Sequence, residues 1–358
     1  MKILAMDIGY GTQDILLYDT SKKIPENMNK LVIDSPTTRY ARKIRRAISN
    51  NKRLVIHGYT IGGGPIVATI KEALRKKIEV IMTEKAAKTI RENLDVARGL
   101  GIEVIPENEI EDYISKKNTY SIELKEIDAK KLKQIFYLLD ENIEDIDMIA
   151  VAVQDHGVPD TKISQREFRF ELFRENLRKG GRPEDFAYPL DNIPAPLKRM
   201  HSIKENIKRE FPSVKGILMD TSPATLFGIL YDDYESFPDE FVGVNVGNGH
   251  TLAGIFSEGK LIAIFEEHTH DISVEKLDYF LSKFVSGDLT FQDIFKDGGH
   301  GAFYSELPKK KISTFYGIGP NRRILTKTKF KFRFPAPFGD VMMAGPATLV
   351  NVSLSISH

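Results

Sequence analysis

The sequence predicts an α/β protein of two domains, each built on a mixed sheet, facing one another across a cleft. Three observations point there. At 358 residues the chain is longer than a single core usually supports. Between residues 53 and 106 strand-like runs alternate with helix-like ones, which predicts parallel strands. A glycine hairpin at the N-terminus, MDIGYGTQDILLYD, has a relative in the second half, VNVGNGHTLAGIFSEGK.

Taken in order, residues 2–9 and 14–19 read as a strand pair around the first glycine turn. Residues 20–50 are polar and basic and read as a loop leading into a short strand or helix; the run RYARKIRRAI (39–48) lacks the aromatic interleaving of a nucleic-acid surface and reads as a solvated face. RLVIHGYTIGGGP (53–65) is a strand ending in glycines, and IVATIKEALRKK (66–77) follows with helical spacing. IEVIMT (78–83), a helix over 84–101 and IEVIP (102–106) continue the alternation. IDMIAVAVQDHG (146–157) is a buried strand that ends in polar residues. The stretch RPEDFAYPLDNIPAP (182–196) reads as a boundary or a lid. VKGILM (214–219) is a strand, DTSPATLFGILYD (220–232) a helix, 241–269 consecutive hairpins, and 273–287 a helix. TFYGIG (314–319) is a short strand into glycine, and GDVMMAGPATLVNV (339–352) has helix spacing around Pro346.

Composition narrows the function classes. With 51 basic and 50 acidic residues the net charge is +1, so no overall field favours nucleic acid or a membrane surface. The absence of cysteine excludes thiol nucleophiles and cysteine-ligated zinc or iron–sulfur clusters. No apolar run reaches the ~18 residues of a membrane helix. The N-terminus runs straight into KILAMDIG with no charged-then-apolar leader, and a cytoplasmic location is expected.

The paired hairpins carry the main functional expectation. Each has a polar residue at a strand end (Asp7, Asn245), then glycines (Gly9 and Gly11; Gly247 and Gly249) and a threonine (Thr12, Thr251). Glycine lets main-chain N–H groups approach phosphate oxygens, a threonine hydroxyl adds a donor, and a strand-end carboxylate suits Mg²⁺. Either hairpin alone reads as a plain turn; one in each half suggests two half-sites on a shared nucleotide cleft. Gln154, Asp155 and His156 end a buried strand at the carboxyl edge, where open α/β sheets take ligands. Gly62, Gly63 and Gly64 precede a helix and suit a substrate phosphate or carboxylate, with close helix packing as the alternative. His268 and His270 lie two apart, and with His250 or His300 they would make a metal set, although the spacing matches no metal motif.

In chain order these segments resemble the actin-like ATPase superfamily, which joins sugar kinases, acetate kinases, Hsp70 chaperones and actin, and whose two domains are ribonuclease H-like. MDIGYGT resembles the first phosphate loop, DTSPATLFGIL the first connecting helix, NVGNGHT the second phosphate loop, STFYGIGPNRRIL the adenosine loop, and FGDVMMAGPATLV the second connecting helix. The resemblance implies a first domain over residues 1–165 with 338–358 returning to it, and a second over 166–337. It implies ATP and Mg²⁺ as cofactors, with Asp7 on the metal and Gly9, Gly11, Thr12, Gly247, Asn248, Gly249 and Thr251 on the phosphates. Gly317 and Gly319 would lie at the adenosine, Gln154 would orient water, Asp155 would act as base, and His156 would touch substrate. The implied activity is phosphotransfer to a small molecule, or ATP hydrolysis. The alternatives are a nucleotide-dependent switch that presents a surface to a protein partner, and a degenerate member with a non-nucleotide ligand. Asn245, where the superfamily usually has aspartate, keeps the last of these open. The chain also resembles an archaeal family sometimes labelled pyruvate formate-lyase activating enzymes; that label implies radical chemistry on a cysteine-bound cluster, which a chain without cysteine does not support.

Overall fold

The structure, a computed structural model, describes residues 1–159 and 162–357. Asp160 and Thr161, in the predicted boundary region, and His358, at the end of the predicted returning segment, lie outside the described residues.

The chain opens with an antiparallel meander, β1 (Lys2–Ile8), β2 (Thr12–Asp19) and β3 (Asn29–Asp34). Between Lys2 and Asp7 strand β1 is apolar because both its faces are covered. Ile3 and Ala5 enter one core, and Leu4, Met6 and Ile8 enter the other, the period-2 division that a pleated strand imposes. Of the strand or helix expected to follow the loop in the basic stretch, the structure has both, β3 and then a helix of fourteen residues, Pro36–Ser49. Ser35 caps it by accepting from the Thr38 N–H, Pro36 sits where a missing N–H does no harm, and Tyr40, Ala41, Ile44, Ala47 and Ile48 form a buried stripe while the arginines face out.

A separate parallel sheet follows, made of β4 (Arg53–Gly58), β5 (Val80–Thr83), β6 (Glu103–Ile105) and β7 (Thr119–Leu124) in the order β6-β5-β4-β7. The alternation over 53–106 thus predicts parallel pairing correctly, but the strands form a third sheet with its own core around Leu54, Ile56, Ile70 and Met82.

The chain then returns. Strands β8 (Met148–Val153), β9 (Ala187–Pro189) and β10 (Lys215–Met219) complete the first sheet in the order β3-β2-β1-β8-β10-β9, with β8 parallel to both β1 and β10. The break drawn at 165/166 therefore falls inside the segment that builds the first sheet: the proline-rich stretch supplies β9 rather than a linker. The second sheet contains β11 (Glu240–Val246), β12 (His250–Ser257), β13 (Lys260–His268), β14 (Gly301–Tyr304), β15 (Phe315–Ile318) and β16 (Phe332–Arg333), in the order β14-β13-β12-β11-β15-β16.

Both large sheets repeat one plan. An antiparallel three-strand meander is followed by strands added parallel to its first member: β8 and β10 beside β1, β15 and β16 beside β11. That is the ribonuclease H-like arrangement, present twice, as the resemblance implies. Two helices join the halves, Thr221–Phe227 and Ala344–Ser357. They cross in close approach, since a Cβ on Gly228 would collide with the Ala344 carbonyl. The second helix packs against β1 and β8, so the chain's end returns to the first sheet. Among the described residues, no helix is long and apolar enough to cross a membrane.

Candidate active site in the interdomain cleft

Parallel strands aim their carboxyl ends in one direction. The loops after β1, β8 and β10 therefore converge, and so do those after β11 and β15. Between them lies a cleft of about 450 Å³, within the usual range of ligand sites. Asp7, Gly9, Thr12, Gln154, Asp155, His156, Gly62, Gly63, Gly64, Gly247, Asn248, Gly249 and Gly319 all line it.

The two glycine hairpins meet. A Cβ on Gly11 would lie 2.5 Å from Asn248 Nδ2, and one on Gly249 would touch Tyr10. The first hairpin is fixed from below by Ser35, whose N–H donates to the Gly11 carbonyl at 3.1 Å and whose hydroxyl donates to the Tyr10 carbonyl at 2.9 Å. Gly319 has φ +93°, a conformation a side chain resists, and a Cβ there would collide with the Asn245 amide oxygen. Three expected ligands fall elsewhere. Gly11 serves the contact between hairpins instead of lining the cleft. Thr251 is wholly buried, with its hydroxyl 3.1 Å from that of Thr269. Gly317 faces the second core, where a Cβ would strike Leu325, because on a pleated strand it points opposite to its neighbours.

Asp7 sits deep in the cleft. Thr221 donates to its Oδ1 at 2.5 Å and Thr225 to its Oδ2 at 3.0 Å, one helical turn apart on the first connecting helix. Gly345, on the second connecting helix, is small enough to let that helix pass beside the carboxylate. Directly across the hairpin stands Asp14, which the sequence reading did not select. Its Oδ1 is buried and has no partner. Burial pushes Asp7 up to about 6; burial, and then the neighbouring Asp7 charge, push Asp14 up to about 8. A pair of buried, adjacent carboxyls with an orphan oxygen fits a divalent cation, which would favour both ionised forms.

These shifts fix a sign. A carboxyl whose folded pKa exceeds its unfolded value of about 4 lowers stability as pH rises between the two values. Asp14→Asn removes that penalty. In the presence of chelator the variant is expected to melt about 3–5 °C above the parent at pH 8 and level with it at pH 4. Calorimetric scans at the two pH values check this; equal melting temperatures at pH 8 would show that Asp14 carries no burial penalty.

Asp155 has a different task from the one expected. Its Oδ1 accepts from the Gly157 N–H and its Oδ2 from the Met200 N–H, both at 2.9 Å, so both oxygens hold main chain. That arrangement fixes the strand end against the helix Lys198–Glu210 and commits one acceptor site on each oxygen to main chain. Gln154 points its amide at His250, 3.2 Å from Nδ1. Arg199, also unanticipated, donates to the Gln154 carbonyl at 2.8 Å and pairs with Glu126 at 2.6 Å. Glu126 in turn accepts from the Gly62 N–H at 2.8 Å. The glycine loop of the third sheet is tied in this way to the floor of the cleft.

Behind the cleft lies a buried ion network that joins the halves. Arg169, on the helix Gln165–Lys179 and 1% exposed, grips Asp220 with two bonds of 2.9 and 2.8 Å and also binds Glu266 of β13. Ser222 donates to Glu266 at 2.8 Å. Four histidines adjoin this network: His156, His250, His300 and His268. His270 lies at the outer end of this row, its ring 5.4 Å from that of His268, and is exposed and 3.2 Å from Asp271.

Residues 61–324 match the family model described as "Putative pyruvate format-lyase activating enzyme (DUF1786)". Among solved structures, the chain is similar to a Bacteroides thetaiotaomicron protein with actin-like ATPase fold and unknown function, at TM-score 0.37 and 9% identity, covering 97% of this chain and 95% of that one. It is also similar to the ethanolamine utilization protein EutJ from Carboxydothermus hydrogenoformans (0.34, 9%, 98% and 89%). A third similar structure is the activator of the 2-hydroxyisocaproyl-CoA dehydratase from Clostridium difficile with bound ADPNP (0.36, 8%, 100% and 97%). No curated protein matches.

Proposed function

The chain belongs to the DUF1786 family, and we propose that its interdomain cleft binds a nucleoside triphosphate with Mg²⁺ and transfers or releases the terminal phosphate. One observation carries this reading: two glycine hairpins, one from each ribonuclease H-like sheet, face each other on a single cleft beside two adjacent carboxyls. The reading gives the main-chain N–H groups around Gly9 and Gly247–Gly249 the task of meeting phosphate oxygens. Thr12, at the cleft wall, adds a hydroxyl donor. Asp7 and Asp14 would hold the cation, with Thr221 and Thr225 orienting Asp7. When bound, Mg²⁺ would neutralise charge on the phosphate oxygens. Gln154 is the side chain suited to orient a water or an acceptor hydroxyl. Gly319 would border the base and ribose. The loop Gly62–Gly64, with Arg199 beneath it, would receive an anionic acceptor. The label on the family names a radical activating enzyme, but the sequence holds no cysteine to ligate a cluster.

A second reading rests on Asp155. Both its oxygens accept main-chain N–H bonds, which gives the one carboxylate of the Gln154–His156 stretch a structural task. This favours a switch that closes on nucleotide, turns over slowly and signals to a protein partner. Thermal melts test binding: 2 mM ATP with Mg²⁺ is expected to raise the melting temperature by several degrees, since a ligand bound to the native state alone adds RT ln(1 + [L]/Kd). An unchanged melt in ATP, ADP and GTP would remove the nucleotide reading. Initial rates of phosphate release then separate enzyme from switch.

A further inference from the structure

We propose that His156, His250 and His300 form a binding site for one divalent transition ion, of the zinc type, at the inner wall of the cleft. One ligand nitrogen from each of the three lies within 4.8 Å of the others. Three imidazoles around one ion at about 2.0–2.1 Å would stand closer than this, a gap that small side-chain rotations close. The residues come from distant parts of the chain: His156 follows β8 of the first sheet, His250 begins β12, and His300 precedes β14 of the second sheet.

Two further observations point to a ligand. His300 has no exposed surface, and neither of its ring nitrogens has a hydrogen-bond partner. A buried imidazole left this way carries an uncompensated desolvation penalty, and coordination of one nitrogen would relieve it. The surroundings are also arranged as metal sites usually are behind their ligands. Glu266 Oε2 lies 3.5 Å from His300 Nδ1, and the Gln154 amide lies 3.2 Å from His250 Nδ1 and 3.4 Å from its Nε2, so polar groups adjoin both rings. Asp220 and Glu266 set two carboxylates against the single guanidinium of Arg169, so the network behind the histidines suits a cation. Burial, more than any nearby charge, holds all three imidazoles in the neutral form that ligates.

Three protein nitrogens leave a tetrahedral ion one open position. His156 and His250 line the cleft, so an ion held by them would be within reach of a cleft ligand. The ion would also tie the two domains together. This site is separate from Asp7 and Asp14, and the argument for it does not use the nucleotide reading.

The test uses the full chain, stripped with chelator, in the absence of nucleotide. Co²⁺ is titrated in and followed by visible absorption and calorimetry. The expected result is one Co²⁺ per chain that gives the intense d–d bands of a four- or five-coordinate site and is displaced by Zn²⁺, whereas Co²⁺ at the all-oxygen pair Asp7 and Asp14 would add only weak bands. His156→Ala and His250→Ala should each weaken binding at least roughly 100-fold, whereas His57→Ala and His201→Ala should leave it unchanged. Only the weak spectrum of aqueous Co²⁺, without saturation, in a wild-type chain with native circular dichroism would overturn the site. Full affinity in His156→Ala would overturn it as well. The wild-type spectrum decides even if a variant fails to fold, and loss of ATP binding would not bear on it.

Discussion

Replacing Arg169 with leucine is expected to lower the unfolding free energy at pH 7 by about 3–5 kcal/mol, the usual penalty for leaving buried carboxylates without their partner. Arg169 makes two bonds to Asp220 and others to Glu266 and Ser222, so its loss strands two acids at once. The pH dependence identifies the cause. Burial alone would push the Glu266 carboxyl up, but the Arg169 charge outweighs burial and holds it well below the usual carboxylate range. A depressed folded pKa contributes stability that is present above the unfolded value of about 4.5 and lost as pH falls. The deficit of Arg169→Leu should therefore be largest near neutral pH and shrink below about pH 4.5. Adding Glu266→Gln to the variant should restore part of the loss, because one unpaired charge disappears. Urea denaturation at several pH values measures all of this. A deficit under 1 kcal/mol at pH 7 would mean that the network does not hold the halves together.

Asp7→Asn is expected to reduce phosphate release by about 10²–10³-fold and to remove its dependence on Mg²⁺, the scale seen when one group that stabilises transition-state charge is lost. The replacement is nearly isosteric, and the amide can still meet the hydroxyls of Thr221 and Thr225. Unfolding would not explain the loss. Burial raises the Asp7 pKa to about 6, so near pH 7 the ionised carboxylate lowers stability and a neutral amide should leave the chain at least as stable. Asp155→Asn should behave in the opposite way. It disturbs two main-chain bonds, which costs about 1–3 kcal/mol of stability, without a selective fall in turnover per folded molecule. Rates normalised to folded fraction, with and without Mg²⁺, distinguish the two. Mg²⁺-dependent turnover within threefold of the parent in Asp7→Asn would remove Asp7 from the metal.

The parts of the fold legible in the sequence were those coded locally. Glycine pairs at strand ends mark both hairpins, and their recurrence shows that the two halves share a plan. Small residues around Pro223 and Pro346 mark the two connecting helices. The amphipathic stripe of Pro36–Ser49 was hidden by its many arginines, which lie on the other face of the helix. The third sheet was harder for a different reason. Alternation of strands and helices predicts parallel pairing but does not say which sheet a strand joins, and only β4's pairing with β5 and β7 decides that. Asp14 could have been found: once the hairpin around Gly9 is drawn, register places it opposite Asp7 on the same face. Arg169, Arg199 and the place of His156 beside His250 and His300 left no such signal, because their partners are distant in the chain and meet only in the folded molecule.

The central claim is that phosphate binds between the two glycine hairpins. A crystal structure of the chain grown with a non-hydrolysable ATP analogue and Mg²⁺ tests it most directly. The account predicts β- and γ-phosphate oxygens within hydrogen-bond distance of main-chain N–H groups from both residues 9–12 and residues 247–250, with the cation beside Asp7 and Asp14 and the base beyond Gly319. An analogue bound elsewhere, or a cleft that excludes it under conditions in which the melting temperature does rise, would contradict it.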